Sequence, residues 1–271
     1  MRKSDPNPSF DWWDERVTNE IYLSTNRPDW WRFCKAVAGL LADGENVLDV
    51  GTGDGHTFWQ IISVASALPS YRINSLFLLE PNESGLRRAM RRCSQLPVER
   101  IVPYRSSFAD FAAAWERNPE RLDAPKQFDK LFAGHVNYYL AGTPNNESSY
   151  RAALDAMAAM AETLVIVTAP RDGDYYKMVP NPFGEYVYSD VVAEHYRSRG
   201  LRVEVTEMPM RFYIDHVNQS RHEAAVLWQF FSNTERKPSE AELEEFVANA
   251  NKTKDRNGDI NFKDQILVIN T

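Results

Sequence analysis

The stretch Val47-Leu-Asp-Val-Gly-Thr-Gly-Asp-Gly-His-Thr57 constrains this chain more than any other. An apolar run ends in three glycines at alternate positions, Gly51, Gly53 and Gly55, and a helix-compatible segment from Thr57 to Leu68 follows. The pattern predicts a buried parallel strand and then a tight turn whose missing side chains let a ligand approach the backbone. Amides at the start of the following helix face that space and suit an electron-rich group. A dinucleotide turn needs its third glycine one place later than it stands here, and His56 occupies that position. An acid, Asp49, also lies inside the strand end, just before the first glycine.

A chain of 271 residues with 43% hydrophobic content can bury a large core, so one elaborated domain is expected. The net charge of −7 argues against a nucleic-acid backbone as partner. Two cysteines, Cys34 and Cys93, make neither a disulfide framework nor a zinc cluster, and no metal is expected. The N-terminus lacks the apolar core of a signal peptide, and no apolar run is long enough to span a bilayer. A cytoplasmic protein, monomeric or weakly homodimeric, with no membrane partner follows as the expectation.

Residues 1–44 precede the first strand. Phe10–Val17 and Arg27–Val37 read as short helices, each with a Trp pair, the second opening on Pro28 and Asp29. Core packing and a lid over a small substrate are both open for these tryptophans. Ile73–Leu79 reads as a second strand closing on Glu80. A carboxylate about 20–30 residues past the first glycines is placed to accept hydrogen bonds from both hydroxyls of a ribose. Asn82, beyond Pro81, is the better candidate to cap the next helix, so capping does not account for Glu80. Arg87, Arg88, Arg91 and Arg92 recur at helical spacing and read as a solvated basic face.

Arg100–Tyr104 is a third strand, after which Ser106 and Ser107 are candidate adenine contacts. Phe128–Gly134 is a fourth, running into His135, Tyr138 and Tyr139 beside the glycine turn, where ligands of doubly wound sheets bind. Helix Glu147–Ala161 and buried strand Thr163–Ala169 follow. The alternation predicts a Rossmann-like doubly wound α/β sheet, mostly parallel. An alternating strand is expected at Leu201–Glu207, a capping box at Ser239 and Glu242, and an antiparallel last strand at Gln265–Asn270. The Rossmann-like core is assigned to 45–271, the helical cap to 1–44, and aromatic insertions over the substrate to about 171–188 and 208–236. The stretch Thr253–Asp264 echoes a calcium-binding loop, but Thr253 and Asp264 are the wrong end residues, and an Asn257-Gly258 turn explains it better.

The D-x-G-x-G-x-G turn resembles motif I of class I S-adenosyl-L-methionine-dependent methyltransferases. Leu79-Glu-Pro-Asn82, Phe128-Asp-Lys-Leu131, His135-Val-Asn-Tyr-Tyr-Leu140, Ser189-Asp190, Ala225–Phe231 and the closing Ile266–Ile269, in this order along nearly the whole chain, resemble the histamine N-methyltransferase family. The resemblance implies S-adenosyl-L-methionine as cofactor and a small-molecule acceptor held beneath an N-terminal cap. It matches Glu80 to the ribose-binding acid and the Gly51 turn to the cofactor loop; the cofactor candidates are Asp49, Gly51, Thr52, Gly53, Glu80, Pro81, Asn82, Ser106, Ser107 and Gly134. It matches Trp13 to a substrate-facing aromatic and Tyr138-Tyr139 to an aromatic pair at the pocket floor; the substrate candidates are Trp13, Asn26, Trp30, His135, Tyr138, Tyr139 and Phe183, with His135 and Tyr139 as the catalytic candidates. Two departures stand out: Asn26 follows Ser24-Thr25 where the family carries an acid, and His135 replaces a glutamine. They point away from histamine itself.

The activity expected is in-line methyl transfer to the nitrogen of a biogenic-amine or amino-acid-like metabolite. The alternatives are S-methylation of a thioether, O-methylation of a small metabolite, or cofactor binding without turnover. Positioning supplies about 7–11 kcal/mol in such reactions and a general base about 10²–10⁴-fold. An aromatic wall of Trp13, Trp30, Tyr138, Tyr139 and Phe183 would favour a cationic methyl centre.

Overall fold

A computed structural model describes residues 28–66, 71–136, 140, 146–179, 187–213, 215–218, 220–232 and 236–271. Seven strands form one sheet: β1 (Asn46–Val50), β2 (Ile73–Leu79), β3 (Val98–Tyr104), β4 (Phe128–Gly134), β5 (Ala161–Thr168), β6 (Arg202–Tyr213) and β7 (Asp259–Asn270). Their order is β3-β2-β1-β4-β5-β7-β6. The pairs from β3 through β5 are parallel, and β7 runs antiparallel to both β5 and β6. This is the Rossmann-like, doubly wound sheet with a reversed last strand that the sequence predicts. The strand order reverses direction at β1, so the crevice opens between the C-terminal ends of β1 and β4.

Successive strand residues point to opposite faces, and each face buries its own apolar row. On one side Val47, Ile73, Leu76, Leu78, Phe132 and Val167 pack under helices α1 (Pro28–Ala38), α2 (His56–Ala65) and α3 (Glu83–Cys93). On the other, Leu48, Phe77, Phe128 and Leu131 pack under α4 (Phe108–Arg117), α5 (Glu147–Met160) and α7 (Ser189–Arg197), while the short α6 spans Tyr175–Met178. α1 is also tied to the far edge, where Arg211 Nε of β6 donates to Oδ2 of the buried Asp29 at 2.7 Å.

Strands β6 and β7 each run 12 residues, well beyond the alternating and apolar segments that announce them in the sequence. The segment 208–213 therefore continues β6. Past the sheet, the extended hairpin carries Ile260 and Phe262 into a third core with Val217, Leu227, Phe231 and Phe246. Those residues come from α8 (Asp215–Asn218), α9 (Arg221–Phe231) and α10 (Glu240–Thr253). The capping box forms as expected, with Ser239 and Glu242 closing the start of α10. The stretch before β7 is a turn closed on Asp255, whose Oδ1 accepts the Asn257 and Asp259 amides, with Gly258 at φ +81°. Among the described residues, no helix is long and apolar enough to cross a membrane.

Candidate functional site

The bend after β1 organises the site. Gly51 turns at φ +67°, and a Cβ there would stand 2.1 Å from Val136 Cγ2, so only glycine lets this turn lie against the chain leaving β4. The Gly51 and Thr52 amides both donate to the Leu79 carbonyl, at 2.8 and 3.1 Å, which stitches the bend to the end of β2. Gly55, at φ +78°, brings the start of α2 against α3, where a Cβ would meet Ala89 Cα at 2.7 Å. A Cβ on Gly53 would meet nothing within 4 Å. The bend is thus packed on two sides and open on the third.

Glu80 closes β2 beneath that open side and is 4% exposed. Its Oε2 accepts the Gly53 amide at 2.9 Å and its Oε1 the Asn82 amide at 2.8 Å. Each carboxylate oxygen has a second lone pair, so the group can still accept from two neighbouring hydroxyls. Burial raises the Glu80 carboxyl above the ordinary range, against the pull of the Asn82 and Gly53 amides and of Arg88. Asp49, also buried, is pushed up to about 7 by desolvation, while the Thr52 hydroxyl that donates to it lowers it and the charge of Glu80 raises it further. Helix α2 begins on Gly55 with no side-chain cap.

The flanks of the bend carry the remaining cofactor candidates. Asn82 caps α3, its Oδ1 accepting the Gly85 amide at 2.8 Å, as the sequence predicts, and Pro81 beside it is half-buried. Ser107 caps α4, accepting the Asp110 amide at 3.1 Å and donating to Asp110 Oδ2 at 2.7 Å, with Ser106 half-buried before it. The arginines of α3 are not one solvated face. Arg87 pairs with Glu83, whereas Arg92 pairs with Asp54 and also donates to its carbonyl at 3.1 Å, bracing the bend from behind. Arg92 holds the Asp54 carboxyl below its usual value despite burial.

Across the crevice, β4 ends at Gly134, and His135 follows in the left-handed region at φ +54°. Its amide donates to the Val167 carbonyl of β5 at 3.0 Å. Its ring nitrogen Nε2 lies 3.2 Å from Asp264 Oδ2 on β7. Burial alone would lower the imidazole, but the charge and hydrogen bond of Asp264 outweigh it and hold the ring above its ordinary value.

Trp30 is 4% exposed, stacked on Phe33 with centroids 5.1 Å apart, and its indole N–H is taken by Gln60. The structure places it in the apolar layer between α1 and α2. Gln60 Nε2 in turn lies 3.0 Å from His56 Nε2, linking this layer to the bend. Trp13, Asn26, Tyr138, Tyr139 and Phe183 lie outside the described residues.

Three partners escape a reading of the sequence: Asp264, Val136 and Gln60. Asp264 sits inside the stretch that imitates a calcium loop, and its tie to His135 spans 129 positions with no local signal. Both cysteines are buried with thiols pushed up to about 12 by desolvation, so neither is poised as a nucleophile. Among the described residues, no group of three or more His, Cys, Asp or Glu side chains is arranged to hold a metal.

No protein-family model matches the chain, and no curated protein matches it. Solved structures do. A cyclopropane synthase from Mycobacterium tuberculosis aligns with a TM-score of 0.57 at 13% identity, over 98% of this chain and 100% of that one. The YcgJ protein from Bacillus subtilis aligns with a TM-score of 0.54 at 14% identity, over 88% and 97% of the two chains. Magnesium protoporphyrin IX methyltransferase from Synechocystis PCC 6803, solved with bound SAM, aligns with a TM-score of 0.53 at 10% identity, over 100% of both. At these identities the likeness establishes a common fold.

Proposed function

We propose that this chain is an S-adenosyl-L-methionine-dependent methyltransferase acting on a small molecule, with the nitrogen of a biogenic-amine or amino-acid-like metabolite as acceptor. The observation that carries the reading is Glu80, a buried carboxylate fastened to the Gly53 amide on the one open side of the glycine bend. A buried acid that keeps acceptor capacity toward a crevice is suited to a vicinal diol, and the adenosyl ribose is one. The Synechocystis methyltransferase, solved with SAM, has the same fold and supports this choice of ligand. The sequence resemblance to the histamine N-methyltransferase family supports the small-amine class of acceptor.

In this reading Glu80 holds the ribose, and the Gly51–Gly53 backbone with Thr52 lines the donor's tail. Asp49 supports the bend from below through Thr52. Pro81, Asn82, Ser106 and Ser107 border the base, and Gly134 floors the crevice. Trp13, Asn26, Tyr138, Tyr139 and Phe183 face the acceptor, while Trp30 supports the wall from the core. When bound, the sulfonium donor supplies an electrophilic methyl group, and the protein's part is to hold the acceptor in line with it. Orientation of that kind is worth about 7–11 kcal/mol, more than a base alone supplies.

Calorimetry with S-adenosyl-L-methionine and S-adenosylhomocysteine tests the donor half. Binding by the wild type that is lost in Glu80→Ala supports it, and equal binding by both proteins sinks it. Release of S-adenosylhomocysteine, screened against amines, hydroxyl compounds and thioethers, then separates an enzyme from a binder.

A further inference from the structure

We propose that Asp264 is the positioning partner of His135, and that the pair serves an acceptor that gives up a proton as it is methylated: an N–H or O–H group, not a thioether. This rests on the methyltransferase reading above and narrows its substrate class.

The register of β7 makes Asp264 conspicuous. Ile260, Phe262, Asp264 and Ile266 occupy alternate positions and are all buried, so an acid stands in an otherwise apolar row. A buried acid needs a partner, and His135 supplies one at 3.2 Å. The histidine is brought there at a conformational cost. Only two non-glycine residues among those described have positive φ, Asp123 and His135, and the left-handed region disfavours any side chain with a Cβ. Strain of this kind persists where neighbours over-determine it, here the Val167 carbonyl on the backbone and Asp264 on the ring.

The pairing has a chemical consequence. An ionised carboxylate only accepts, so it fixes the imidazole proton on Nε2 and makes Nδ1 the basic nitrogen. The ring is 24% exposed while Asp264 is nearly sealed, so the ring can be approached and its partner cannot. Asp264 acts on the imidazole through both its charge and its hydrogen bond. The neighbouring Lys263 is turned away, to Asp172 at 2.9 Å and Glu207 at 3.9 Å. His135 follows Gly134 at the C-terminal end of β4 and sits one residue from Val136, which packs on Gly51, so its backbone borders the glycine bend while its ring reaches across β5 to β7. As the acceptor's lone pair forms its bond to the methyl carbon, its proton passes to Nδ1. The electron pair of the broken carbon–sulfur bond stays on sulfur, and the imidazolium later returns the proton to water. A thioether has no proton to give and needs no such pair.

The test uses the full chain as wild type, Asp264→Asn, Asp264→Glu and His135→Gln. First, the His135 imidazole is titrated by NMR on histidine-labelled protein, its signal assigned by loss in His135→Gln. It should titrate above the ordinary 6.5 in the wild type and lower in Asp264→Asn, with Asp264→Glu between them. Titration below 6.5 in the wild type overturns the pairing. Second, S-adenosylhomocysteine release is followed with a primary amine, a phenol, an alkyl alcohol and a dialkyl thioether. The pair predicts turnover of an N–H or O–H acceptor. It also predicts that Asp264→Asn lowers kcat about 10–100-fold, moves the acid limb of its pH profile to lower pH, and leaves donor Kd within about twofold. Unchanged kcat and pH profile in Asp264→Asn, or preference for the thioether, overturns it. If Asp264→Asn does not fold, the wild-type titration and the Asp264→Glu profile decide. Failure of the wild type to bind the donor would instead remove the methyltransferase reading, and the titration would still judge the pair.

Discussion

The two walls of the crevice are built differently. On the β1–β2 wall the contacts are short in sequence: Glu80 to the Gly53 amide spans 27 positions, Asp49 to Thr52 only three. On the β4–β7 wall the key contact joins two side chains 129 positions apart. Backbone amides and a glycine bend recognise what every ligand of one class shares, and they survive changes of side chain. A pair drawn from two distant strands can be altered without changing the glycines of the bend, which under the proposed function suits the wall nearer the acceptor.

The largest effect should come where the two walls touch. Gly51→Ala adds a Cβ 2.1 Å from Val136 Cγ2 at φ +67°. Left-handed strain of about 1–2 kcal/mol and overpacking of about 1–3 kcal/mol predict a loss of roughly 2–5 kcal/mol in urea unfolding. Gly51→Ala/Val136→Ala should recover the packing part alone; full recovery would mean that backbone strain at the bend is negligible.

Next, Glu80→Ala should weaken donor binding by roughly 10²–10⁴-fold, since two hydrogen bonds to a charged group are worth about 1.5–3 kcal/mol each. The His135 titration should stay unmoved. A shifted titration would show that the walls are coupled and the contrast is wrong.

A smaller effect tests the buried acids. The folded value of Asp49, about 7, lies above its ordinary 3.8, so the stability it contributes is complete below 3.8 and is lost as pH rises through 7. Between pH 5 and 6 the wild type should lose about 1 kcal/mol that Asp49→Asn keeps, measured by denaturation at both pH values. Parallel curves for the two proteins would place the Asp49 titration elsewhere. Smallest, Ser239→Ala opens the capping box of α10 in the third core. It should cost about 1 kcal/mol of stability and leave donor affinity and the His135 titration alone.

Much of the first wall was legible beforehand. Alternate glycines after an apolar run announce a bend, an acid closing the next strand announces a polar end, and Asn82 stands at capping distance from Gly85. All are statements about neighbours in sequence. The same logic misjudged Arg92, because helical spacing gives the face of a residue but not what faces it, and Asp54 was there. It left Trp30 open between lid and core, and the depth of α1 against α2 resolved its position. It ended β6 too early and began β7 too late, because once two strands pair antiparallel the ladder continues past the apolar stretch that announces it.

By itself the sequence determined the strand–helix alternation, the reversed last strand and the chemistry of the glycine bend. Each depends on local sterics or on a hydrophobic period within a few residues. The tertiary structure decided which acid meets His135, which side chain demands a bare Gly51, and which arginine braces the bend. Those outcomes depend on strand order and register, through which residues more than a hundred positions apart come within hydrogen-bonding distance.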